Sequence, residues 1–141
     1  MRLSTKGRYG VKALVELALQ QQDAPVALHT IAKRQGLSES YLEQLMGPLR
    51  KAGLVRSVRG AQGGYSLGRD PSEITVGDIL RVLEGPLAPT DCVGEAEFEH
   101  CGRAEGCITR SVWLRVRDSI EDVVDSITLA DLCAEARGEK D

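Results

Sequence analysis

Aromatic residues are scarce: the 141 residues include one Trp, one Phe and three Tyr. A core must rest instead on Leu, Val, Ile and Ala, and a 42% hydrophobic content is enough to build one. Histidine is scarcer still, with only His29 and His100. So placed, they offer no His-based triad, and no Gly-x-x-x-x-Gly-Lys nucleotide loop occurs, so an enzyme is not expected. No apolar run approaches the ~18 residues of a membrane span. No secretory apolar stretch follows the opening Met1-Arg2-Leu3-Ser4-Thr5-Lys6-Gly7. A cytoplasmic protein with no membrane partner is expected. In that reducing compartment four cysteines point to metal binding, redox chemistry or burial more than to structural disulfides.

A large net charge is also missing, at −3, but the balance conceals a split. Residues 1–70 carry eleven Lys/Arg against five Asp/Glu, and residues 71–141 carry seven against sixteen. A basic first half suits a polyanion, and the acidic second half does not. The length suits one compact domain plus an extension.

Hydrophobic spacing predicts a helix from Thr5 to Gln21, with Tyr9, Ala13, Leu14, Leu17 and Ala18 on one face and Ser4 or Thr5 as N-cap. Asp23-Ala24-Pro25 breaks it, and Val26-Ala27-Leu28 is extended. A short helix from His29 to Gln35 stops at Gly36, and Ser38 caps another from Glu39 to Ala52. This is a helix, a tight glycine turn and a second helix, the pattern of a helix-turn-helix. Pro48 removes a backbone donor inside the second helix, so a bend or restart is expected there. Leu54 to Arg59 alternates like a strand, Gly60-Ala61-Gln62-Gly63-Gly64 turns, and Tyr65 to Gly68 returns, which makes a wing. Thr75 caps a helix from Val76 to Leu83. Leu87 to Gly106 has no periodicity, a long helix follows from Ile108 to Ile127, and a short one runs from Leu129 to Ala136.

The fold expected is mainly α with a small β-hairpin wing: a winged helix-turn-helix at 1–86, a cysteine loop at 87–107, and a dimerisation helix with tail at 108–141. The first turns of the second helix of such a motif meet base edges in the major groove. Here they offer Ser38, Ser40, Tyr41, Glu43 and Gln44. Gln can pair with adenine, Ser with several bases, and Glu can accept from cytosine N4. Arg59 and Gly60 at the wing tip suit a minor groove or phosphates. Lys6 and Arg50, with Arg8, Lys33, Arg34, Lys51 and Arg56, suit phosphates. The expected partner is double-stranded DNA; the competing reading is a winged helix used only for protein contacts. Val112, Val116, Ile120, Val123 and Ile127 make a narrow apolar stripe, either packed on its own domain or buried in a homodimer that spaces two recognition helices about one DNA turn (~34 Å) apart.

Cys92, Cys101 and Cys107 follow a C-x8-C-x5-C spacing in a loop with glycines at 94, 102 and 106. Thiolates select zinc, copper(I) or iron–sulphur clusters, and the spacing alone leaves zinc, iron–sulphur and thiol switching open. Cys133, between Leu129, Leu132 and Ala136, reads as a buried small hydrophobe.

Together these residues resemble the IscR-like family of winged helix-turn-helix regulators. The resemblance lies in MRLSTKGRYG, in LSESYLEQLMGPLRKAGLVRSVRGAQGGYSLG across recognition helix and wing, in ITVGDILRVLEG, and in ITRSVWLRV and SITLADL. It covers nearly the whole chain. It implies a homodimer that represses or activates operons for iron–sulphur assembly. It also implies a 2Fe–2S cluster on Cys92, Cys101 and Cys107, supplied by the assembly machinery, whose state alters the DNA sequences bound. Glu43 stands where such regulators carry a glutamate that takes part in that discrimination. The resemblance has one departure: the family's fourth ligand is a histidine three residues past the last cysteine, and here that residue is Arg110, which cannot ligate. Nitric-oxide-sensing relatives borrow an aspartate from the partner's first helix, but Arg8 stands at that place. His100, His29, Cys133, Asp91 or Glu105 remain as sources. A regulator of the same fold gated by thiol oxidation, nitric oxide or a protein partner, with no stable cluster, is the alternative.

Overall fold

A computed structural model describes residues 3–20, 24–94 and 108–138. Six helices and one hairpin follow in the order α1 (Thr5–Gln20), α2 (Leu28–Gln35), α3 (Glu39–Lys51), β1 (Val55–Val58), β2 (Gly64–Leu67), α4 (Val76–Glu84), α5 (Arg110–Asp125) and α6 (Leu129–Ala136). Single 3-10 turns stand at Pro71–Glu73 and Asp91–Val93. The mainly helical winged helix-turn-helix expected from the sequence is the fold observed.

Local chemistry sets most boundaries. Gly36 ends α2 at φ 68°, its N–H reaching back to the Ala32 and Lys33 carbonyls. Ser38 caps α3 by accepting from the Tyr41 N–H at 3.0 Å. Thr75 with Asp78, and Thr128 with Asp131, form reciprocal capping boxes at α4 and α6. These two starts also pair, with Val76 N–H on the Ile127 carbonyl at 2.8 Å and Leu129 N–H on the Ile74 carbonyl at 2.9 Å.

Of the bend or restart expected at Pro48, the restart does not occur: α3 runs through it from Glu39 to Lys51. The carbonyl that loses its donor belongs to Gln44, which is exposed like Pro48, so water can satisfy it, while buried Leu45 and Leu49 anchor both sides. Val26-Ala27-Leu28 is also more than an extended link: Val26 exchanges two 2.8 Å backbone hydrogen bonds with Tyr65 and lies beside β2. Gly64 permits this approach, since a Cβ there would stand 2.2 Å from the Val26 carbonyl oxygen.

The core gathers Leu14 and Leu17 of α1, Ile31 of α2, Leu42, Leu45 and Leu49 of α3, Val55 and Leu67 of the hairpin, Ile79 of α4, and Leu129 and Cys133 of α6. Helix α5 contributes no buried residue. Among the described residues no helix is long and apolar enough to cross a membrane.

Candidate DNA interface and cysteine turn

Helix α3 turns Leu42, Leu45, Met46 and Leu49 inward, which leaves Ser38, Ser40, Glu43 and Gln44 exposed along its first turns. Glu43 has no ion-pair partner among the described residues. Tyr41 differs from its neighbours. It is half-buried, meets the Tyr9 ring edge-on at 6.3 Å between centroids, and donates its hydroxyl to Thr5 Oγ1 at 3.3 Å. Its ring ties α3 to the start of α1.

The wing carries Arg59 and Gly60, both exposed, past the register Val55↔Leu67 to Val58↔Gly64. Lys6, Arg8, Lys33, Arg50, Lys51 and Arg56 are exposed as well. Arg34 is engaged elsewhere: its Nε donates to Glu16 at 3.0 Å, and Glu16, the one buried charged residue among those described, also accepts from Gln20 and Gln35. Gly64-Tyr65-Ser66-Leu67-Gly68 spells the Gly-x-Ser-x-Gly of a nucleophile elbow, but it runs along β2 with Ser66 opposite Arg56, not through a strand-to-helix turn.

Cys92 lies in the Asp91–Val93 turn, half-buried, its Sγ 3.1 Å from the Thr90 hydroxyl. Two arginines of α5 hold that turn: Arg110 Nε donates to the Cys92 carbonyl at 3.3 Å, and Arg117 Nη1 to the Val93 carbonyl at 3.2 Å. Arg117 also meets Asp118 at 2.9 Å and Glu121 at 3.7 Å, and Glu121 stands 3.9 Å from Arg81 of α4. Arg81 grips Asp125 with two bonds of 2.7 and 2.8 Å. Those bonds hold the Asp125 carboxyl below its ordinary pKa and raise that of Arg81. Arg110 and Arg117 thus grip the main chain of the turn, while the Cys92 thiol itself meets the Thr90 hydroxyl. Cys101, Cys107, His100 and Glu105 lie outside the described residues. Of the other fourth-ligand candidates, Asp91 is exposed beside Cys92 and His29 is exposed on α2. Cys133 is buried in the α1–α6 core, and that burial pushes its thiol pKa up, against the deprotonation a ligand needs.

The apolar stripe of α5 is open. Val112, Val116 and Val123 are 48%, 37% and 57% exposed. With Ile120 and Val124 they line a shallow groove of about 650 Å³.

Sequence reasoning missed Glu84. Its Oε1 accepts from the Ser4 N–H at 3.0 Å, from the Gly7 N–H at 2.9 Å and from the Ser4 hydroxyl. Only the lack of an acidic residue in the first turn of α1 could have hinted at a cap supplied from elsewhere. The Arg81–Asp125 pair was missed too, its partners being 44 positions apart.

Residues 3–135 match the model of Rrf2, described as an iron-dependent transcriptional regulator. The HTH-type transcriptional regulator CymR of Bacillus subtilis (strain 168) is 48% identical over 141 residues, which cover 100% of this chain and 96% of that protein. The HTH-type transcriptional regulator IscR of Serratia proteamaculans (strain 568) is 46% identical over 132 residues, covering 94% of this chain and 79% of the relative. Among solved structures, CymR (YrzC), the global cysteine regulator of B. subtilis, matches with a TM-score of 0.78 at 48% identity over 96% of this chain and 98% of that one. The IscR of T. potens matches with a TM-score of 0.76 at 54% identity, covering 96% and 88%.

Proposed function

This chain belongs to the Rrf2 family of DNA-binding transcription regulators, and from that premise we propose that it is a homodimeric regulator of iron–sulphur assembly genes whose choice of DNA is set by a 2Fe–2S cluster on Cys92, Cys101 and Cys107. The observation that carries this reading is the clamped turn: Arg110 and Arg117 fix the Cys92 turn onto α5, at the start of the stretch that bears the other two cysteines. A cluster there would supply a charge and redox state that respond to iron supply or oxidation.

The chain's own residues do the rest. Ser38, Ser40, Glu43 and Gln44 read base edges, with Tyr41 setting the helix that carries them. Arg59 and Gly60 meet the minor groove or backbone, and Lys6 and Arg50 meet phosphates. An exposed carboxylate is repelled by DNA unless a cytosine amino group meets it, so Glu43 rejects more sequences than it selects. The open stripe of α5 is the surface for the second copy. Asp91, His100 or Glu105, near the three cysteines in sequence, would complete the ligand set, and the donor is the assembly machinery.

A second reading rests on Arg110: a guanidinium stands where a fourth ligand is expected, and the relative with 48% identity over the whole chain is a cysteine regulator. On that reading the cysteines act without a cluster, through thiol chemistry or a protein partner. Anaerobic reconstitution separates the two. Visible absorption with about two irons and two sulphides per chain, lost in Cys92→Ala while the dimer persists, and a DNA footprint that changes with the cluster, are expected. A colourless protein that still binds DNA would move the assignment to the second reading.

A further inference from the structure

The start of α1 is held by residues remote from it. Like any helix it begins with amide groups that have no partner inside the helix, and Glu84, at the last position of α4, takes two backbone N–H groups and one hydroxyl there on a single oxygen. An anionic group is favoured at this positive helix end. The approach is built in: a Cβ on Gly7 would stand 2.5 Å from that oxygen, and one on Gly10 would stand 2.1 Å from Leu83. From the other side, Tyr41 of the recognition helix donates to Thr5 and packs on Tyr9. Lys6 lies between Thr5 and Gly7, both held, and is itself exposed.

We propose that Glu84 is a positioning residue for DNA binding: it docks the first turn of α1 against α4 beside the recognition helix, so that Lys6 meets a phosphate in register with the bases read by α3. The inference rests on Lys6 being a phosphate contact, as assigned above. It has a distinctive sign. Removing an acidic residue from a DNA-binding surface ordinarily tightens binding; removing Glu84 loosens it.

The experiment measures binding of the intact protein to a fluorescein-labelled duplex, selected by the unaltered protein from a randomised pool, across a range of salt concentrations. Lys6→Ala should lower the slope of log K against log salt by about 1.8, the value of one phosphate contact (about 0.9) in each protomer of the dimer. Glu84→Ala should weaken binding several-fold and lower the slope by the same amount, and the double variant should lose no more than either single one. Glu84→Gln keeps the accepting oxygen and should keep the slope. Glu84→Asp keeps the charge but falls one methylene short, and should behave like Glu84→Ala, so it also serves if the alanine variant does not fold. A Glu84→Ala or Glu84→Asp protein that binds as before or more tightly, or losses that add to those of Lys6→Ala, would overturn the proposal. An unchanged slope in Lys6→Ala would instead refute the phosphate contact beneath it and remove the proposal with it.

Discussion

Cys92 and Cys133 have opposite surroundings. Cys92 is half-buried in a turn, its thiol against a hydroxyl and its carbonyl held by Arg110. Cys133 is 3% exposed within the core, where desolvation raises its pKa against the opposing charge of Arg137. Burial explains why their spacing could not separate a ligand from a filler, whereas the apolar neighbours of Cys133 in α6 could. Alkylation of the native apo-protein at neutral pH should therefore label Cys92 and spare Cys133 until the protein is unfolded. Mass spectrometry of the digest reads this directly, and early labelling of Cys133 would take it out of the core. Tyr41 was legible only in part: its place in the first turn of α3 made it a base-reading candidate, and only the fold shows Tyr9 and Thr5 against it as well.

Elements were legible where apolar period and punctuation agreed. Helix α6 runs from Leu129 to Ala136 as expected from the sequence, and α2 stops at Gly36 for a backbone reason visible in the letters. The links between elements were not legible, because they depend on pairs distant in sequence. Asp125 of α5 and Glu84 of α4 each stand over a glycine at the start of another helix: a Cβ on Gly77 would come within 2.0 Å of Asp125 Oδ1, as one on Gly7 would meet Glu84. The Arg81–Asp125 joint is open to solvent, with side chains 30% and 43% exposed, so its worth is about 0.5–1 kcal/mol. Its pH dependence has a definite sign. The folded-state pKa of Asp125 is lowered, so the stabilisation is present above the ordinary aspartate value of 3.8 and is lost as pH falls through the folded value. Asp125→Asn should cost about 0.5–1 kcal/mol in urea unfolding at neutral pH. That deficit should shrink toward zero in acid; one that persists unchanged at the lowest pH would mean that the lost charge is not its cause.

At the scale of the molecule, α5 stands apart. The other five helices all contribute buried residues, while α5 contributes none, joins its own chain partly through charged contacts and leaves Val112, Val116 and Val123 exposed. Val123→Asp, at the most exposed of those valines, should leave the monomer folded, shift light scattering from dimer to monomer and weaken DNA binding by orders of magnitude, since one recognition helix reads only a half-site. A variant that remains dimeric would place the interface elsewhere. Helix α6, by contrast, returns to α1, and Leu129 shares a core with Leu14 and Leu17. The order of synthesis gives that closure a temporal meaning. At 5–20 residues per second, α1 leaves the ribosome on the order of ten seconds before α6 exists to cover it. Through that interval Leu14 and Leu17 are uncovered on one side, so a nascent chain stalled before residue 129 presents chaperones with a helix face that the finished protein never shows.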